Sequence, residues 1–444
     1  MSRVISLELN EVDFELLRKY VDAGKLPTFE RLLARYDLVQ TTSETEYAHL
    51  EPWIQWVTAH TGLTFSQHGV FRLGDIVGKE LRQLWEVLEE RFGLRVAAVS
   101  PMNARNVLKN AAFFVPDPWT QTATLGPWDL RLLSTALVQT VNDNAQHRIT
   151  VGSYLRLAAA AAVNVRAKNL RSYAKLAATS RTKKWRKALV LDQLLCDAFI
   201  GHCKKARPDY ASLFLNAAAH VQHHYMFSSP FYRGELRNPD WYIEPGLDPV
   251  GEVYALYDEI IASILTALPD ARLLIATGLS QQPNHQLIHY YRPKDHLALM
   301  GQLGLSGITA VQPRMSRDFL VEFDSPRDAA AAQRKLEGFV APDGVSIFSV
   351  ENRGKTLFCM LCYTRPIERD FTISNGEVTL RHFEEQVAHV SIENAIHRQT
   401  GYFLDTGLAK TGTRKPIPLT SLFDHTLSIW DPETASALSP SAAS

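Results

Sequence analysis

The sequence predicts an α/β protein built around a mainly parallel sheet. Three observations carry this expectation. Short, β-forming apolar runs alternate with amphipathic helical stretches through residues 3–100. A second alternation of the same kind starts at residue 210 and continues past residue 276. Each run ends in a cluster of polar residues, as strands do at the carboxyl edge of an open parallel sheet, where ligands gather.

Residues 3–9 (RVISLEL) read as the opening strand. The strand ends at Asn10-Glu11-Val12-Asp13, and Asp13 suits the N-cap of a helix carrying Phe14, Leu16, Leu17, Tyr20 and Val21. Gly24 stops that helix and Pro27 opens another. Residues 38–40 make a short strand, followed by a polar run from Thr41 to His49. Pro52 begins a helix with Trp53, Ile54, Trp56 and Val57 that closes at Thr61-Gly62. Aromatic residues spaced along a helix usually pack in a core, so Trp53 and Trp56 read as core, and His60 and His68 read as structural. Residues 80–92 are amphipathic and 96–100 read as a strand.

Residues 129–206 differ from the rest, being mostly helical with a basic stretch from Arg166 to Lys187, and read as a helical insertion placed at 105–206. The basic stretch is that of a solvated helix face or of a surface for an anionic partner. Residues 210–215 read as a buried strand leading into Asn216-Ala217-Ala218-Ala219-His220-Val221-Gln222-His223-His224-Tyr225. Three imidazoles in five residues can serve metal binding or acid–base chemistry. The same pattern also fits a partly exposed helix start. His220 and His224 lie one turn apart, so all three rings cannot face one centre. A helix follows at 249–267 and a strand at 271–276, ending at Thr277-Gly278-Leu279-Ser280-Gln281. Residues 317–363 read β-α-β-β, a small α+β cap. The strands resume at 387–390, before His397-Arg398-Gln399-Thr400-Gly401.

The 444 residues are 46% apolar and carry zero formal net charge, so bulk electrostatics argues against nucleic acid and anionic membrane as partners. Four cysteines provide no disulfide framework, and the pair Cys359/Cys362 sits in an apolar, strand-like run that reads as core. Neither a signal-peptide pattern nor an 18-residue apolar run occurs, so a cytoplasmic protein is expected. There is no Walker-type loop and no GxGxxG.

The order of these motifs resembles the alkaline phosphatase superfamily, and within it the type I phosphodiesterase/nucleotide pyrophosphatase branch, which is itself sulfatase-like. The resemblance spans residues 3–100 and 208–410. It rests on the strand ending in Asn10-Glu11 where the family has Asp-Gly, and on Lys25-Leu26-Pro27-Thr28-Phe29, Thr61-Gly62, His68-Gly69-Val70, Ala219 to His223, Thr277 to Ser280, and His397-Arg398-x-x-Gly401. It implies a sandwich around the parallel sheet, two divalent metals and a hydroxyl or thiol nucleophile. The chain departs from that pattern at most chemical positions. Asn10 and Ala219 replace metal-binding Asp residues, Gly278 and Leu279 replace an Asp and a His, and the nucleophile slot near Leu50 to Pro52 holds no hydroxyl or thiol.

Two functional readings follow. In one, the site is rebuilt as a single-metal hydrolase acting on a phosphate or sulfate ester, a small anionic molecule. His223, His397, Asn10 and His220 are then the candidate ligands for one zinc, or manganese, ion. Glu51, Glu11 and Gln281 are the candidate catalytic groups, with Glu51, at a helix N-terminus, the preferred base and Glu11 or Glu51 available as the carboxylate ligand. In the other, the chain binds a ligand or partner without turnover, or transfers a group through the same site. The expected organisation is an alkaline-phosphatase-like core from 1–104, 207–312 and 366–432, the helical insertion at 105–206, the α+β cap at 313–365 and a disordered tail at 433–444. These patterns do not encode the oligomeric state.

Overall fold

The computed structural model describes residues 3–145, 151–313, 317–412 and 414–431. The expected disordered tail lies outside the described residues, as do 146–150 of the expected insertion and 314–316 of the expected cap.

The chain divides into two compact units. One is drawn from Met1–Thr140, Val151–Pro283 and Ala395–Ser444, and the other chiefly from Asn284–Asn394. The first unit holds an eight-stranded sheet in the order Ile417–Pro418, Leu38–Thr42, Thr400–Asp405, Arg272–Ala276, Val4–Leu9, Tyr210–Leu215, Val96–Val99, Phe113–Val115. Val4–Leu9 pairs in parallel with strands on both sides, Glu8 lying opposite Phe214 and Ala276. Thr400–Asp405 runs antiparallel to Arg272–Ala276. Residues following Leu9, Leu215 and Ala276 therefore reach the same edge of the sheet as residues preceding Thr400. That shared edge assembles the site described below.

The opening strand is buried on both faces, as a central parallel strand must be. Ile5, Leu7 and Leu9 face a core shared with helices Phe14–Asp22, Pro27–Arg35, Arg186–Ala206, Ala217–Tyr225 and Pro249–Ala267. Val4 faces a second core, with Trp56, Trp85, Leu84 and Leu88. Ser6, Glu8 and Asn10, alternate residues of the same chain segment, are buried and polar.

Helix ends are secured in two ways. Asp13 caps Phe14–Asp22 through Glu15 N at 2.9 Å, the local device that the sequence predicts. Pro27–Arg35 is capped from a distance, Asp258 accepting from Thr28 N and Phe29 N at 2.8 Å each. Asp192, in Arg186–Ala206, likewise accepts from Ala217 N at 2.7 Å at the start of Ala217–Tyr225.

Some elements differ from the sequence expectation. Phe113–Val115, inside the expected helical insertion, is an edge strand of the main sheet; three residues are too few to show a period. Helices Trp128–Ala145, Val151–Asn164, Leu170–Thr179 and Arg186–Ala206 follow it. His397 belongs to a strand, Val387–Arg398, which runs past the expected 387–390.

The second unit contains an antiparallel sheet in the order Phe348–Asn352, Thr356–Leu361, Asp318–Phe323, Ile308–Pro313. Phe319, Val321, Leu357 and Cys359 pack against Ala329, Ala332 and Leu336 of helix Pro326–Glu337. The β-α-β-β pattern at 317–363 lies within this unit. All four cysteines are free thiols, and Cys359 is buried in this core. Among the described residues no helix is long and apolar enough to cross a membrane.

Candidate metal centre

Three side chains from distant parts of the first unit meet at the shared sheet edge. Glu11 comes from the turn after the opening strand, His223 from Ala217–Tyr225 and His397 from the end of Val387–Arg398. Glu11 Oε2 is 3.0 Å from His223 Nε2 and 3.2 Å from His397 Nε2, and the two Nε2 atoms are 3.2 Å apart. The three donor atoms form a nearly equilateral triangle. Ligand atoms held at about 2.0–2.1 Å from a zinc ion at tetrahedral angles lie about 3.3 Å from one another, so the triangle matches one face of a zinc tetrahedron.

The outer contacts support the same reading. His223 Nδ1 lies 2.9 Å from Ala395 O, which can only accept, so Nδ1 carries the proton. His397 Nδ1 lies 3.8 Å from Glu51 Oε2, also an acceptor. With Nδ1 of His397 protonated as well, both Nε2 lone pairs point at each other and at a carboxylate oxygen. Such an arrangement calls for a cation at its centre. With the rings protonated instead, burial pushes the Glu11 carboxyl up, but His397 and His223 outweigh it and hold Glu11 well below the usual carboxylate range. Glu11 is therefore ionised, as a ligand must be.

The Glu11 turn is held from several directions. Glu11 has φ +58°, a left-handed conformation that costs a residue with a Cβ of order 1–3 kcal/mol. Gln222, fully buried, donates to Glu11 O at 2.8 Å and accepts from Asp13 N at 3.1 Å, clamping the turn from both sides. Asn10 Nδ2 donates to Glu11 Oε1 at 3.0 Å and to Asn216 Oδ1 at 2.8 Å. Gln281, also fully buried, donates through Nε2 to Glu11 Oε2 and to Ala219 O, the latter at 3.1 Å.

The residues singled out in the sequence thus occupy distinct places. Glu11, expected among the catalytic groups, stands with His223 and His397 as a candidate ligand. Asn10, expected as a ligand, turns its oxygen to Trp56 Nε1 at 2.7 Å and its nitrogen to Glu11, so it supports the carboxylate. His220, also expected as a ligand, is outside the trio: it is exposed and packs edge-on against His224, with ring centroids 4.8 Å apart. The reason is helical geometry, since consecutive residues His223 and His224 project about 100° apart and His220 sides with His224. Gln281 is sealed from solvent and contacts Glu11 rather than the mouth of the site. Glu51 is the N-cap residue of Pro52–Thr61, with its side chain 34% exposed beside His397. Arg398 turns its guanidinium to Glu15 at 3.0 Å and Tyr402 OH at 2.9 Å.

Trp56, read from the sequence as core, matters to the site. Its indole hydrogen-bonds Asn10, and a Cβ at Gly278 would lie 3.1 Å from its ring. Gly278 has φ +71°. The resemblance aligns Asn10 and Gly278 with two family Asp residues, and here the indole stands against both positions. No sequence signal separates this Trp from an ordinary core residue.

No known family model and no curated protein matches the sequence. Solved structures do match along nearly their whole length. Phosphonoacetate hydrolase from Sinorhizobium meliloti 1021, in complex with phosphonoacetate, is 12% identical with a TM-score of 0.44, over 96% of this chain and 95% of that one. Murine ectonucleotide pyrophosphatase/phosphodiesterase 5 is 11% identical with a TM-score of 0.40, over 100% and 97%. The alkaline phosphatase PafA is 12% identical with a TM-score of 0.43, over 97% and 96%.

Proposed function

We propose that the chain is a hydrolase of phosphate or sulfate esters that works with one divalent ion, zinc or manganese, held by Glu11, His223 and His397. The observation that carries this reading is the triangle of one carboxylate oxygen and two imidazole nitrogens, each backed by an outer hydrogen-bonding or charged group. Two imidazoles and a carboxylate are a donor set that suits catalytic zinc and leaves one coordination position for water or substrate. When bound, such an ion polarises an ester oxygen and favours ionisation of a water.

The chain's own groups supply the rest. The Ala395 carbonyl holds the proton on His223 Nδ1, and the Glu51 carboxylate stands 3.8 Å from His397 Nδ1, with both Nε2 atoms facing inward. Glu51, partly exposed at a helix N-terminus, accepts the proton of the attacking water. The nucleophile is water, because the segment from Leu50 to Pro52 contributes no hydroxyl. That neither Asn10 nor Gly278 brings a carboxylate supports a one-ion site.

The test begins with metal content. Wild type incubated with zinc should carry one equivalent by plasma mass spectrometry, and His223→Ala/His397→Ala none. The loaded protein should hydrolyse a chromogenic phosphate monoester, phosphate diester or sulfate ester. Wild type that takes up neither zinc nor manganese overturns the reading. A loaded protein inert on all three esters leaves a metal-binding protein without this activity.

A further inference from the structure

The helix Pro52–Thr61 is joined to the opening strand by two buried polar contacts in register. Trp56 Nε1 meets Asn10 Oδ1 at 2.7 Å, and His60 Nε2 meets Glu8 Oε1 at 3.0 Å. All four side chains are buried, with exposures of 1% for Trp56 and Asn10, 3% for His60 and 2% for Glu8. The spacing explains the match. Four helical residues rise about 6.0 Å and two strand residues about 6.6 Å, so positions 56 and 60 can face positions 10 and 8 together. The pairing also fixes direction. The helix runs opposite to the strand, and its N-terminus, with Glu51, arrives at the edge where the strand delivers Glu11.

The lower contact is a poor device for stability. Glu8 Oε2 and His60 Nδ1 are both sealed without a hydrogen-bond partner among the described residues. The ring of His60 lies between Trp56 and Trp85, with centroids at 5.7 and 4.5 Å. A buried polar pair with orphaned atoms is commonly no better than an apolar pair of the same shape, and its best-attested use is to fix register. A slip of the helix by one turn would carry Glu51 about 5.4 Å along the axis, out of reach of His397.

We infer that Glu8 and His60 are positioning residues: their contact sets the register of Pro52–Thr61 and so holds Glu51 against His397 Nδ1. The inference rests on the metal reading above, and it assigns no contact with ion or substrate to either residue. Outer carboxylates on ligand histidines change metal affinity by about 10–100-fold when removed. A loss of register should therefore appear as lost zinc affinity, but only while Glu51 is present.

The experiment is a double-mutant cycle on the zinc dissociation constant, measured by competition with a chelating dye. Glu51→Gln should weaken binding about 10-fold. His60→Leu should weaken it to a similar extent, and the double variant should be no weaker than either single one. Glu8→Gln, which keeps an acceptor at His60 Nε2, should bind as wild type does. Should His60→Leu fail to fold, Glu8→Leu/His60→Leu, which removes both buried polar groups at once, takes its place in the cycle. Wild-type affinity in the His60 variant, or effects that multiply in the double variant, overturns the inference and leaves the metal site standing. Absence of zinc binding by wild type overturns both.

Discussion

His223 Nε2 and His397 Nε2 face each other at 3.2 Å, each with its other ring nitrogen beside an acceptor. The two residues are 174 positions apart in the chain. What lies between them is a matter of charge, and Glu11 supplies its negative part.

Glu11→Gln tests that part. The amide keeps the size of the side chain and removes its charge. Loss of an outer partner of a ligand costs about 10–100-fold in metal affinity, and loss of an inner carboxylate should exceed that range. Zinc competition titrations should show a drop of more than about 100-fold with the fold retained by circular dichroism. Unchanged affinity would remove Glu11 from the ligand set.

Gly278→Ala probes the close approach of Trp56. The added Cβ would lie 3.1 Å from the indole, at a backbone φ of +71°. Strained backbone and overpacking together should destabilise the protein by about 1–3 kcal/mol. Urea unfolding measures this, and a stability equal to wild type would mean that the indole moves aside readily.

A second buried cluster should govern acid stability. Asp405 accepts from Arg272 Nε at 2.8 Å and lies 2.6 Å from His425 Nε2, joining two strands of the sheet to the helix Ser421–Ser428. Burial pushes the Asp405 carboxyl up, but Arg272 and His425 prevail and hold it below its ordinary value of 3.8. A depressed folded-state value contributes stability above the unfolded value, which is lost as pH falls below it. Asp405→Asn should destabilise by about 3 kcal/mol at neutral pH, with the deficit shrinking as wild type is acidified below pH 4. A deficit independent of pH would show that packing, not charge, is what the substitution removes.

Asp192 should act with the opposite sign. Burial pushes its carboxyl up to about 6, against hydrogen bonds from Tyr257 OH and from Ala217 N and Asn216 N. A raised folded-state value gives stability that is complete below the unfolded value of 3.8 and lost as pH rises through about 6. The full difference is about 3 kcal/mol. Asp192→Asn should flatten the profile of unfolding free energy over that interval. An unaltered slope would assign the pH dependence to other groups.

Much of the element order is legible in the sequence because it rests on local chemistry. The apolar run at residues 3–9 becomes Val4–Leu9, Asp13 caps the following helix, and Pro27 and Pro52 open theirs. Such signals operate within a turn or two of chain. Phe113–Val115 was not legible, being three residues held by the neighbouring strand and by a bridge between Phe114 and Leu125. The caps from Asp258 and Asp192 are equally hidden, since the capped helix and the capping carboxylate are far apart in sequence.

The same division runs through the site. The sequence by itself singled out His223, His397, Glu11 and Glu51 among its candidates, because residue type and position at strand ends are local facts. Only the tertiary structure decided how those side chains are arranged. It put Glu11 between the two imidazoles, turned His220 to His224, gave the oxygen of Asn10 to Trp56 and set that indole against Gly278. The physical reason is that side-chain direction at a strand end depends on backbone torsion and on what packs behind it. The left-handed φ of Glu11, clamped by Gln222 from another helix, is a case that no stretch of sequence specifies alone.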